Sequence, residues 1–76
     1  MKTDAEWRDQ AKGIIRGELK RRNLTYEQLA ERLAVIGVHD TARNIANKVS
    51  RGSFTAVFML QCLEAIGVKA VRLDAD

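Results

Sequence analysis

Leu24-Thr25-Tyr26-Glu27-Gln28-Leu29-Ala30-Glu31-Arg32-Leu33-Ala34 is the stretch on which the fold of this chain turns. Thr25 is a residue type that caps helices, and Gln28, three positions on, completes a capping box. Leu24 stands just before the cap, placed to staple onto Leu29. Leu29, Ala30, Leu33 and Ala34 recur at helical spacing and form one apolar face. The stretch predicts a helix over about 25–36, ended by Gly37 or by the turn around it.

The pattern continues in both directions. Downstream, Asp40 or Thr41 is a fitting start for a third helix over about 41–51, with Gly52 as its stop. Its apolar face is narrow: Ala42, Ile45, Ala46 and Val49. The other face carries Thr41, Arg43, Asn44, Asn47, Lys48 and Arg51, with no acid past Asp40. A fourth helix, over about 54–66, starts near Ser53 or Thr55 and stops at Gly67. Phe54, Val57, Phe58, Met59, Leu60, Cys62, Leu63 and Ile66 make it apolar almost all round, with Gln61 and Glu64 the plain polar exceptions. Such a helix is covered on all sides, either as the central core helix or in part by a second subunit. The tail, 68–76, opens Val68-Lys69-Ala70-Val71-Arg72-Leu73, which suits a short helical turn or an edge strand. Upstream, Trp7, Ala11, Ile14, Ile15 and Leu19 form a stripe on a first helix over about 4–22. Gly13 and Gly17 lie within it, each costing about 1 kcal/mol against Ala. They either admit another helix closely or mark a loosely optimised surface. Lys20-Arg21-Arg22 closes the helix where cations favour its dipole.

Composition agrees with a small all-α domain of four to five helices. The chain has 76 residues and no proline, so it fits a single domain over 1–76 whose loops are short. A chain this size buries only about 60% of its unfolded surface, which leaves room for one core and no separate cofactor domain. Hydrophobic residues at 46% and charged residues at 30% exclude a disordered chain. No apolar run approaches membrane-spanning length. The start Met1-Lys2-Thr3-Asp4 is polar, and no leader-like apolar segment follows it. The single Cys62 excludes an internal disulfide, so a reducing cytoplasm is the expected setting.

The net charge of +3 is uneven. Residues 1–24 carry +3 and residues 39–52 carry +2, while 25–38 and 53–76 carry −1 each. The positive excess therefore sits on the end of helix 1 and on helix 3, where an anionic partner would be met.

Catalytic chemistry has little material. His39 is the only histidine and lies in a turn, where a cap or surface role is the ordinary one. Cys62 lies in the most apolar helix, as an inert core thiol would. No cluster has metal-ligand spacing, no Gly-rich phosphate loop is present, and no cofactor or small-molecule ligand is indicated. Enzyme action is not expected. Helix 3 offers more. Arg and Lys donate to guanine O6 and N7, and Asn pairs bidentately with adenine. Arg43, Asn44, Asn47 and Lys48 share one side of the helix and are the candidates for base contact. A solvated polar face would show the same residues.

The run Leu24-Thr25-Tyr26-Glu27-Gln28-Leu29-Ala30-Glu31-Arg32-Leu33 resembles the second helix of Cro- and phage-repressor-type (lambda-repressor-like) helix-turn-helix domains. Those typically read Leu-Thr-Gln-x-x-Leu-Ala-x-x-Leu. Val49-Ser50-Arg51-Gly52 and Leu63-Glu64-Ala65-Ile66-Gly67-Val68 resemble that family's recognition-helix end and next helix, so the likeness covers about residues 8–68. Asn47-Lys48-x-Ser50-Arg51-Gly52-x-Phe54 also resembles a pattern in small uncharacterised bacterial proteins, which carries no activity with it. Tyr26 stands where the repressor family usually has Gln, and the glycine after Ala30 comes late, at Gly37. Helix 2 or its turn is thus extended by about one turn.

The resemblance implies a bacterial transcriptional regulator that binds double-stranded DNA, with helix 3 as recognition helix. Lys20, Arg21, Arg22, Thr25, Tyr26, Gln28 and Arg51 are then the phosphate candidates. A homodimer on two half-sites follows from the same likeness. Met59, Cys62, Val68, Val71 and Leu73 are its candidate interface, unless the tail folds back over helix 4 within one chain. The rival reading is a protein-interaction module of the same fold without DNA contact.

Overall fold

A computed structural model describes residues 1–73. It contains α1 (Asp4–Arg21), α2 (Tyr26–Val35), α3 (Ala42–Arg51) and α4 (Ala56–Ala65), and no strand among the described residues. The fold is all-α. Backbone packing sets α2 against α3 and α4, and α1 against the same two, so each half of the chain is closed by the other.

Every helix begins in the same way. Thr3, Thr25, Thr41 and Thr55 are the N-caps, all in extended backbone. Their hydroxyl oxygens accept from the backbone N–H groups of Glu6 (3.2 Å), Gln28 (3.1 Å), Asn44 (3.1 Å) and Phe58 (3.0 Å). Each bond satisfies one of the donors that a helix start leaves without an internal partner. Thr25 and Gln28 form the full capping box, and so do Thr3 and Glu6.

The ends are as regular. After α1, α2 and α4 the chain turns through a left-handed residue: Asn23, Gly37 and Gly67. The next N–H then reaches back to a helix carbonyl at 2.9 Å: Leu24 to Leu19, Val38 to Leu33, Val68 to Leu63. Leu24, Val38 and Val68 each pack onto the core, as the hydrophobic partner of this type of helix end does.

The core is built mainly from pairs four residues apart, one pair per helix. Ile15 and Leu19, Leu29 and Leu33, Ile45 and Val49, and Phe58 and Cys62 are buried, with Leu63 and Ile66 completing the cluster. Among the described residues no polar or charged side chain is buried.

The structure departs from the sequence-based expectations at several points. Trp7 is 56% exposed rather than part of the buried stripe, and the Lys2 ammonium lies 4.6 Å from its ring centroid. A Cβ built on Gly13 or Gly17 meets nothing within 4 Å, so neither glycine admits a neighbouring helix. The close approach occurs instead at Gly52, against the backbone of Arg8 in α1. Residues 68–73 form neither a helical turn nor a strand. They run beside α1, where the Gln10 side-chain amide donates to the Leu73 carbonyl at 3.1 Å. Residues 74–76 of the tail lie outside the described residues.

Candidate nucleic-acid interface

Helix α3 is ten residues long, and its buried side is anchored by Ile45 and Val49 alone, both fully buried. This leaves a wide outer face. Thr41 fixes the start of the helix, and Gly52, in the left-handed conformation, fixes its end. Arg43, Asn44, Asn47, Ser50 and Arg51 are exposed on that face. No hydrogen bond or ion pair engages Arg43, Asn47 or Arg51 among the described residues.

Asn44 and Lys48 are differently placed. Asp40 lies just before the cap, and its carboxylate reaches along the helix. One oxygen, Oδ1, accepts from the Thr41 N–H at 2.8 Å and from the Asn44 side-chain amide at 3.1 Å. The other, Oδ2, accepts from the Lys48 ammonium at 2.8 Å. The Lys48 ammonium also sits 5.1 Å from the centroid of the Phe58 ring, so this side chain leans off the face toward α4. Lys48 foremost, then the Asn44 amide and the Thr41 N–H, hold the Asp40 carboxyl below the ordinary carboxylate range.

The phosphate candidates also divide. Thr25 and Gln28 bind one another in the capping box, with the Thr25 N–H donating to Gln28 Oε1 at 2.8 Å. Tyr26 is half-buried against the core. Arg22 is half-buried and paired with Glu18, and Arg21 stands 3.7 Å from the same carboxylate. Lys20 is exposed and unpaired among the described residues. It borders a shallow depression of about 260 Å³ together with Arg16, Leu19, Leu24, Thr25 and Tyr26. Arg16 was not among the residues singled out from the sequence. Its spacing of four from Lys20 was the available signal, since such residues share a helix face.

The apolar surface also needs correction. Cys62 is fully buried inside the subunit, so it cannot belong to an interface. Burial pushes its thiol up to about 11. Its contribution to stability is therefore whole below the ordinary thiol range and declines as pH rises toward that value. A small thiol-reactive disulfide at neutral pH is expected to label Cys62 only as fast as the protein opens. Labelling much faster than unfolding, measured in parallel, would contradict this burial. Met59 and Val68 are half-buried against the core, whereas Val71 and Leu73 are exposed. Of the large apolar residues that crowd α4, the ones that face outward are Val57 and Leu60, at 64% and 67% exposure. Val35, at the end of α2, is exposed too.

A family model described as a domain of unknown function, DUF6471, matches residues 7–71, which takes in the whole of α2, α3 and α4 and most of α1. The chain belongs to this family. The DUF6471 match thus spans the α3 face, Asp40 and the depression at Lys20. No curated protein and no solved structure matches the chain. Among the described residues the DUF6471 domain has no group of three or more His, Cys, Asp or Glu able to hold a metal. No helix among them is long and apolar enough to cross a membrane.

Proposed function

We propose that this protein binds double-stranded DNA through α3 and regulates transcription, in the manner implied by its resemblance to repressor-type helix-turn-helix domains. One observation carries the reading: a short helix, held at both ends, turns Arg43, Asn47 and Arg51 outward without a competing acid. Arg43 and Asn47, with Asn44 beside them, have the donor and acceptor sets that distinguish base pairs in the major groove. Arg51, Lys20 and Arg16 supply phosphate contacts, which position the domain without reading sequence. The longer connection, residues 36–41, ends α2 in its own turn and then runs on to the Thr41 cap.

The test is binding to random-sequence duplex as a function of salt. Each neutralised phosphate contributes about 0.9 to the slope of log affinity against log salt. Arg51→Ala is expected to flatten that slope by about this amount and leave sequence preference intact. Asn47→Ala is expected to cost about 1–3 kcal/mol on the preferred site and to relax preference at one base pair. A chain with no affinity for duplex even at low salt does not have this function.

A second reading, association through apolar surface, is favoured by the exposure of Val57 and Leu60 on α4. A homodimer formed there also presents two α3 faces, as two half-sites require. Sedimentation equilibrium checks it: Leu60→Asp should shift the protein to monomer and remove the concentration dependence of its thermal midpoint, while the monomer stays folded. If wild type is monomeric throughout the micromolar range, this face does not pair.

A further inference from the structure

The α3 face contains a tether that neither the charge pattern nor the family match predicts. Asp40, Asn44 and Lys48 follow at intervals of four, and the first holds the other two. Asp40 is only slightly exposed at its side chain, 17%, and both of its carboxylate oxygens are engaged. Its three partners do different things. The Thr41 N–H fixes Asp40 itself at the start of the helix. The Asn44 amide, bound through Nδ2, is left with its carbonyl oxygen in a set orientation. The Lys48 ammonium is neutralised and drawn toward Asp40 and the Phe58 ring.

Two groups on this face thus have opposite fates. A pre-oriented amide loses little freedom when it meets a base edge, so its hydrogen bonds discriminate well. An ammonium already paired with a carboxylate neutralises no phosphate unless that pair opens. We infer that Asp40 is a positioning residue of the α3 face, orienting Asn44 for base reading through Oδ1 and withholding Lys48 from the DNA backbone through Oδ2. The domain then discriminates between sequences more sharply, and holds all of them less tightly, than its count of basic residues implies. This inference rests on the DNA-binding reading.

The two oxygens can be tested apart. Asp40→Asn keeps an oxygen for the Thr41 and Asn44 donors and removes the charge that holds Lys48. Asp40→Ala releases both partners. Binding is measured on a random-sequence duplex and on the best duplex that wild type selects from a random pool, each across a salt series. Asp40→Asn should steepen the salt slope by about 0.9 on both duplexes, equivalent to a gain of about threefold at the low-salt end of a fourfold salt range. Its ratio of selected to random affinity should be unchanged. Asp40→Ala should show the same steepening and also lose about tenfold of that ratio. In a Lys48→Gln background the steepening should vanish.

Steepening that persists without Lys48 would reduce Asp40 to a general repulsive charge and overturn the inference while leaving the DNA reading in place. An equal loss on both duplexes with no change of slope would make Asp40 a purely structural support of the helix start, and would also overturn it. Wild type with no duplex affinity at low salt removes the DNA reading and this inference with it. Thermal unfolding of each variant, run alongside, separates a folded non-binder from an unfolded chain.

Discussion

Gly52→Ala is expected to destabilise the protein by about 2–5 kcal/mol, and two independent causes add to that figure. The backbone at Gly52 has φ +70, a left-handed conformation that costs an ordinary side chain about 1–2 kcal/mol. The space is also taken. A Cβ would stand 2.9 Å from the carbonyl carbon of Arg8, closer still to its oxygen, and 3.0 Å from the Arg8 Cβ. These are mostly backbone atoms in the second turn of α1, so relief requires moving the helix, and overpacking of that kind costs about 1–3 kcal/mol. Gly37 provides the control. Its φ is +86, but a Cβ there meets nothing within 4 Å, so Gly37→Ala carries the conformational cost alone. In chemical denaturation Gly52→Ala should lose clearly more than Gly37→Ala. Equal losses would mean that the end of α3 does not sit on α1.

Ile45→Ala is the other large effect, at about 2–5 kcal/mol. Ile45 and Val49 are the only fully buried side chains of α3, so the substitution removes half of what anchors the helix and leaves a cavity between it and its neighbours. A domain of this length has a total stability of about 4–11 kcal/mol. The loss is therefore a large fraction of the whole, and the thermal midpoint should fall by about 8 °C or more, at about 4–8 °C per kcal/mol. Ile45→Val, which keeps most of the volume, should cost about 0.5–1.5 kcal/mol. If Ile45→Ala unfolds no earlier than Ile45→Val, α3 is held by something other than this contact.

The helix ends were legible because their chemistry is local. Thr25 with Gln28, and Gly37, Gly52 and Gly67, act within a turn of themselves, so spacing alone reveals them. Two further signals of the same local kind lie in the sequence: Thr3 with Glu6, and Asn23, the non-glycine residue that best tolerates the left-handed turn after α1. Other features were not legible because they depend on what lies opposite. In α4 nearly every position is apolar, so periodicity could not say that Cys62 faces inward while Val57 and Leu60 face out. Trp7 fits the apolar stripe by angle, yet its ring lies at the surface under the Lys2 ammonium, an outcome that depends on which side of α1 its neighbours occupy. On α3 the apolar spacing of Ile45 and Val49 was enough to leave Arg43, Asn44, Asn47 and Arg51 on the exposed side. That Asp40 would reach as far as Lys48 depends on two side-chain conformations, which a spacing rule does not contain.

The absence of a buried polar side chain among the described residues has a further consequence. Apolar contacts have no direction, so apart from the close fit of Gly52 on Arg8 the buried side chains do little to label one helix pair as right and another as wrong. The address of each helix is written at its ends, in where the capping threonine and the left-handed residue start and stop it, and in how short the links are. The inside should therefore accept volume-conserving exchanges, such as Leu33 for Met, at less than about 1.5 kcal/mol. The junctions are the intolerant part. Inserting residues into the links should yield protein that still collapses and still forms helix, but that no longer settles on one arrangement.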